Sequence, residues 1–239
     1  MTTVRVADHD PELFDGVADP AAAAAASVAE AEWFEVGDWS PEGIVADRRG
    51  HYGLLVVEGA FIRRVELGPR DALELLSPGD VGRPWVSFGG DSSISLSGRW
   101  RVLQRARVAH LDRRWASRMA PWPEVAACLM DRIMRRQRFL AMHVALSQMP
   151  KLQTRLNVMF WYLADRCGRV TSDGVVIDLP LTHELIAGLV GARRPGVTSA
   201  LGELQRSGEL ARRRDGRWLL LGQPPPEIQA GLGERATPV

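Results

Sequence analysis

Two cysteines in 239 residues, Cys128 and Cys167, are too few and too far apart for a disulfide framework or a four-thiolate metal cluster, and they suit a reducing compartment. No stretch approaches the roughly 20 uninterrupted apolar residues that span a bilayer, and the chain start lacks the basic residues and apolar run of a signal peptide. A cytoplasmic protein with no membrane partner is the expectation. Closely spaced ligand pairs such as His-x-His are missing, which excludes a metal-dependent cupin and leaves no metal site to expect. Lysine is nearly absent: Lys151 is the single one among 30 basic residues. Net charge is small too, at +1, but it is unevenly spread. Residues 1–112 hold 11 basic and 18 acidic side chains, while residues 113–239 hold 19 and 11. An acidic half followed by a basic half suggests two modules, the second facing a polyanion.

What is present falls into segments. Residues 1–42 read as a lead-in, with a helix after Asp19-Pro20, where Asp can cap and Pro can occupy the first turn. Residues 43–120 carry short runs punctuated by turn residues: 51–59, 60–68, 72–80 and 100–111 read as strands of an antiparallel sandwich or roll. The tryptophans around this segment, Trp85, Trp100, Trp115 and Trp122, read as large core residues. Residues 121–149 hold a helix of about seven turns, free of Gly and Pro between Pro123 and Pro150. Val125, Leu129, Ile133, Leu140 and Val144 form its apolar stripe and predict packing against a second copy of the chain. Arg132, Arg135, Arg136 and Arg138 are placed on its wet side.

Residues 150–222 carry the strongest local signal. Leu152 to Arg166 is amphipathic, and short β-like runs between Gly168 and Leu179 break at Asp173-Gly174. Thr182 then caps a helix whose Leu185, Ile186 and Leu189 share a face, and Gly191 supplies the left-handed residue of a sharp turn. The next helix, from about Arg194 to Ser207, turns Val197, Leu201 and Leu204 inward and leaves Arg194, Thr198, Ser199 and Gln205 outside. This is a helix-turn-helix, whose second helix enters the major groove of double-stranded DNA. A hairpin follows, with Asp215-Gly216 as a two-residue type I′ turn and Arg212, Arg213, Arg214 and Arg217 around its tip. Such a wing reaches the DNA backbone, where neutralised phosphates release counterions.

These residues resemble the Crp/Fnr superfamily of bacterial transcription regulators, over nearly the whole chain. The carrying pattern is Leu181-Thr-x-Glu-Leu, then Leu-Val-Gly-x-x-Arg and Val-Thr-x-x-Leu-x-x-Leu, with a looser match at Leu75-Leu-Ser-Pro-Gly-Asp80. The resemblance implies an α+β protein: an N-terminal antiparallel β-roll of the cyclic-nucleotide-binding type, a long dimerisation helix and a C-terminal winged helix-turn-helix, with a disordered tail at 223–239. It implies a homodimer on palindromic DNA, no catalytic residues, no cofactor, and RNA polymerase and a small-molecule effector as further partners. Base contacts map to Arg194, Pro195 and Ser199, a phosphate contact to Thr198, and Thr182 and Arg193 complete the set. Pro195 departs from the pattern, since an acidic residue often stands there to accept from a cytosine amino group. Gly196 departs too, lowering intrinsic helicity by about 1 kcal/mol relative to Ala.

The sensor half lacks the Gly-Glu-x-x-Leu and Arg-Ser/Thr-Ala segments of the cyclic-nucleotide cassette. Gly89, Gly90, Asp91 and Arg99 are the residues that could stand in for them, at a different spacing. His51, His110 and His143 are ordinary histidines rather than haem ligands. Two alternatives stay open: a cyclic-nucleotide-responsive regulator with a divergent cassette, and a small-molecule-binding roll that does not bind DNA.

Overall fold

The computed structural model describes residues 2–41, 51–67, 70–84 and 97–225. It divides into two compact units, residues 1–140 and 141–239. The first is built on an antiparallel sheet of β1 (Thr2–Arg5), β2 (Val28–Phe34), β3 (Gly37–Trp39), β4 (Gly53–Leu67), β5 (Arg70–Leu76), β6 (Val81–Gly82) and β7 (Ser97–Leu111). The strand order is β1-β2-β7-β4-β5, with β3 added to β7 and β6 to β4.

Three expectations change here. The runs at 51–59 and 60–68 are one strand, β4, because Gly59 makes a bulge rather than a turn. At φ +78°, a Cβ on Gly59 would sit 2.2 Å from the Arg105 carbonyl oxygen, and the register with β7 shifts on both sides. A bulge bends a strand without ending it. The run at 72–80 stops at Leu76, where Asp80 Oδ2 accepts from the Ser77 N–H at 2.8 Å and closes a turn before β6. Residues 1–42 are no lead-in, since they supply β1, β2 and β3, with α1 (Val6–His9), a 3-10 turn (Pro11–Phe14) and α2 (Pro20–Ala26) between them. Asp19 does cap α2, accepting from the Ala22 N–H at 3.0 Å.

Both faces of the sheet are apolar, and β4 shows why. Leu55 and Val57 join Val6, Leu13, Leu111 and Trp115 in one core, while Leu54 and Val56 join Phe61, Trp100, Val102 and Val108 in another. Successive side chains point to opposite faces, so a strand covered on both sides reads as one apolar run. Trp115 is fully buried and its Nε1–H donates to the Ser27 carbonyl at 3.1 Å. Trp100 stands edge-on to Trp39, with centroids 5.6 Å apart. Trp122 packs partly buried against the first core, and Trp85 lies outside the described residues.

After α3 (Arg113–Met119) comes α4 (Pro123–Gln148), which has the expected extent but not the expected single stripe. Val125 and Leu129 are buried in the unit's own core, whereas Ile133, Leu140 and Val144 are 38%, 43% and 65% exposed. Eight residues at 3.6 per turn rotate a stripe by about 80°, so the apolar row that begins on the sheet has left it by Ile133. Arginines take its place. Arg132, expected on the wet side, is 7% exposed: its guanidinium reaches both Asp10 carboxylate oxygens and donates to the Gly79 carbonyl at 3.0 Å. Arg136 donates to Glu74 Oε1 at 2.5 Å and to the Val81 carbonyl at 3.0 Å, and Arg63 pairs with the same Glu74. Arg135 and Arg138 are exposed, as expected. Burial alone would lower the pKa of Arg132 and raise that of Glu74. The Asp10 hydrogen bonds reverse the first and the Arg136 and Arg63 charges reverse the second, so both groups are held more firmly charged than in water.

The second unit contains α5 (Leu152–Cys167), β8 (Gly168–Thr171), β9 (Gly174–Ile177), α6 (His183–Val190), α7 (Arg194–Arg206), β10 (Leu210–Arg212) and β11 (Trp218–Leu220), with the strands ordered β10-β11-β9-β8. The amphipathic pattern of α5 buries Leu156, Met159, Phe160 and Leu163, and the Phe160 ring meets Trp218 at 5.4 Å. The architecture is α+β, a sheet-rich first unit followed by a helix-turn-helix with a hairpin. Among the described residues no helix is long and apolar enough to cross a membrane.

Candidate nucleic-acid interface

The turn between α6 and α7 forms for local reasons. Thr182 has extended backbone and its Oγ1 accepts from the Leu185 N–H at 3.2 Å, satisfying one of the free donors at the start of α6. Gly191 ends that helix at φ +63°, a left-handed conformation that costs a glycine little, and the Ala192 N–H reaches back to the Ala187 carbonyl at 2.9 Å. Three residues later α7 begins, with Pro195 in its first turn, where no N–H partner is needed.

Packing then orients α7. Val197, Ala200, Leu201 and Leu204 are buried, which turns Arg194, Thr198, Ser199 and Gln205 outward, as the spacing predicts. Gly196 lies where α7 approaches α5: a Cβ there would meet Leu152 Cδ2 at 3.4 Å, so it packs against that helix rather than only weakening its own. Arg155 of α5 donates to the Val190 carbonyl at 3.2 Å and to the Met149 carbonyl at 2.7 Å, which ties α5 to the end of α6.

The hairpin β10–β11 forms the wing, but its turn is not the expected type I′. Among the described residues no non-glycine residue has positive φ, and a type I′ turn would require it at Asp215 as well as Gly216. The loop has three residues instead: the Arg213 N–H donates to the Arg217 carbonyl at 2.9 Å, and only Gly216 is left-handed, at φ +81°. Trp218 anchors the wing, fully buried, with its Nε1–H donating to the Leu181 carbonyl at 3.0 Å. The Arg212 guanidinium lies 4.4 Å over the Trp218 ring and donates to the same carbonyl at 3.3 Å.

The basic residues of this surface are not equivalent. Arg193, Arg194 and Arg214 are exposed and have no carboxylate partner among the described residues. Arg212 is exposed but stacked. Arg217, expected to face a partner, is held at 2.5 Å from Asp178 and within 3.5 Å of Asp215, and Arg213 also pairs with Asp215. Asp178 first, then Asp215, raises the pKa of Arg217. Two hydroxyls are partly committed as well. Ser199 Oγ donates to the Pro195 carbonyl at 3.2 Å, and Thr198 Oγ1 shares a 3.0 Å hydrogen bond with His183 Nδ1.

Between α6, α7 and the wing lies a cavity of about 470 Å³ lined by Thr182, His183, Glu184, Arg194, Gln205, Arg212 and Trp218. His183 is the residue that sequence reasoning missed. It stands next to the capping threonine, and the partner that gives it a role is 15 positions away. Of the stand-ins for a nucleotide cassette, Gly89, Gly90 and Asp91 lie outside the described residues, and Arg99 on β7 pairs with Glu66.

The model of the Crp-like helix-turn-helix domain matches residues 154–223. The regulatory protein CysR of Synechococcus elongatus is 29% identical over 86 residues, which are 35% of this chain and 42% of that protein, so the match spans less than half of the relative. The structure of FixK2 from Bradyrhizobium japonicum is similar over 88% of this chain and 99% of that one, at 20% identity and a TM-score of 0.60. A CRP-family transcriptional regulator from Thermus thermophilus is similar over 84% of this chain and 96% of its own, at 23% identity and a TM-score of 0.58. At these identities the likeness is one of fold, and it extends well beyond the matched domain. Residues 154–223, with their capped, glycine-turned helix pair and arginine-tipped wing, thus match a Crp-like helix-turn-helix domain, and the rest of the chain shares its fold with these regulators.

Proposed function

We propose that this protein is a sequence-specific DNA-binding transcription regulator, that it acts as a homodimer on a palindromic site, and that its roll lacks the usual cyclic-nucleotide cassette. One observation carries the DNA reading: the exposed start of α7 presents Arg194 and Ser199 on a helix whose opposite face is buried, flanked by Arg212 and Arg214 of the wing. A helix placed this way enters the major groove, while wing arginines meet phosphates. Thr182, Arg193, Pro195 and Thr198 complete the contact surface; Arg213 and Arg217 shape the wing through Asp215 and Asp178.

The homodimer rests on α4. Met130, Met134, Gln137, Ala141 and Val144 are exposed and follow one another at steps of four, three, four and three, with exposed Ile133 and Leu140 beside them. That is the heptad spacing of a two-helix seam. Val125 and Leu129 support the seam from behind, by docking the helix on the roll. Palindromic half-sites, RNA polymerase and a small-molecule effector of the roll belong to this reading, as does action in the cytoplasm, and no catalytic step does.

Selection of the purified full chain against a random duplex library tests it. An enriched palindrome with half-sites about 10 base pairs apart supports a dimeric helix-turn-helix regulator. Retention that is uniform across sequences and lost steeply with salt leaves only the phosphate contribution, and the sequence-specific reading then fails.

A further inference from the structure

His183 opens α6 and lines the cavity shared by the helix pair and the wing. Its ring is half-buried, lies 5.9 Å from the Trp218 ring, and shares its Nδ1 hydrogen bond with Thr198 of α7. The charged groups around it come from every neighbouring element: Arg194 from α7, Arg212 from β10 and Glu184 from α6 itself, all lining the same space. Two guanidinium groups and a helix N-terminus thus surround a ring that can add a third positive charge. A neutral imidazole offers one N–H; a protonated one offers two, one for Thr198 and one for an anion in the cavity.

We propose that His183 is a DNA-backbone contact of this interface, one that takes up a proton when a phosphate enters the cavity and so makes DNA binding tighter as pH falls. The inference rests on the DNA-binding reading above. In the free protein, burial first, then Arg212 and Arg194, holds the ring below the ordinary histidine value, so it is neutral near pH 7. A phosphate oxygen in the cavity cancels the repulsion from the two arginines and favours the charged ring. Because the bound state then holds more protons than the free state, affinity rises as pH falls through the bound-state pKa and levels off below the free-state one. The limit for one proton is about tenfold per pH unit.

The test uses the full chain and a fluorescein-labelled random-sequence duplex of about 30 base pairs, titrated at constant ionic strength from about pH 8 to about pH 5.5. Wild type is expected to gain several-fold affinity across this range, His183→Gln to gain little whatever its starting affinity, and His183→Arg to bind with no such pH slope. In parallel, the His183 Cε1–H resonance, assigned by its loss in His183→Gln, is expected to titrate at higher pH with DNA than without. Equal pH slopes in wild type and His183→Gln, or an unmoved resonance in the DNA complex, overturn the proposal while leaving DNA binding intact. Inorganic phosphate moving the resonance as far as DNA does assigns the cavity to a free anion and overturns it as well. No binding to the duplex at any pH removes the DNA-binding reading, and this inference falls with it.

Discussion

Arg132 in the first unit is 7% exposed with its guanidinium on both oxygens of Asp10, whereas Arg194 in the second is exposed and has no carboxylate partner among the described residues. The same side chain does structural work in one place and stays available in the other. Asp10, Glu74 and the carbonyls of Gly79 and Val81 hold Arg132 and Arg136 of α4. On the helix-turn-helix, among the described residues, carboxylates meet only Arg213 and Arg217, so positive charge is left at the start of α7 and at the wing tip. A buried charge must be neutralised where it sits, while an exposed one can wait for a partner.

Removing a buried partner gives the largest expected effect. Arg132→Met leaves Asp10 buried and unpaired, and the first unit is expected to lose about 3–5 kcal/mol by chemical denaturation. The double variant Asp10→Leu with Arg132→Met should recover much of that, because no stranded charge remains. If Arg132→Met instead leaves stability unchanged and weakens DNA binding, the contrast between the units is wrong. Arg194→Ala is the mirror test: unchanged melting, and a loss of about 1–3 kcal/mol in binding to a selected site, with relaxed preference at one base position.

Acid sharpens the contrast further. The folded-state pKa of Glu74 is depressed, so its contribution is fully present above the unfolded glutamate value of about 4.3 and is lost as pH falls through the folded one. Unfolding of the first unit should therefore steepen below about pH 4, and Glu74→Gln should flatten that limb while lowering stability at neutral pH. The smallest effect is expected at the wing. Arg214→Ala should weaken binding to all duplexes alike and reduce the slope of log affinity against log salt by about 1, with melting unchanged.

Much of the second unit is legible in the sequence, because its signals are local. The Thr182 cap, the Gly191 turn and the inward spacing of Val197, Leu201 and Leu204 act over a few residues and survive into the structure. The wing is legible as a hairpin but not as a turn type, since Asp-Gly fits both a two-residue and a three-residue loop and strand register decides between them. In the first unit the apolar runs reveal strands, yet Gly59 reads the same as a turn glycine; only the approach of β7 makes it a bulge.

By itself, then, the sequence determined the helix-turn-helix with its wing, the all-antiparallel first unit and the extent of α4, since caps, glycines and apolar periods depend on backbone sterics within one or two turns. Tertiary structure alone decided which arginines are spent. Arg132 finds Asp10 at a separation of 122 residues and Arg136 finds Glu74 at 62, and neither distance leaves a trace in local pattern. It also divided the α4 stripe between a buried and an exposed part, and it brought His183 to Thr198. A charge acts through space rather than along the chain, so its role appears only once the chain has folded.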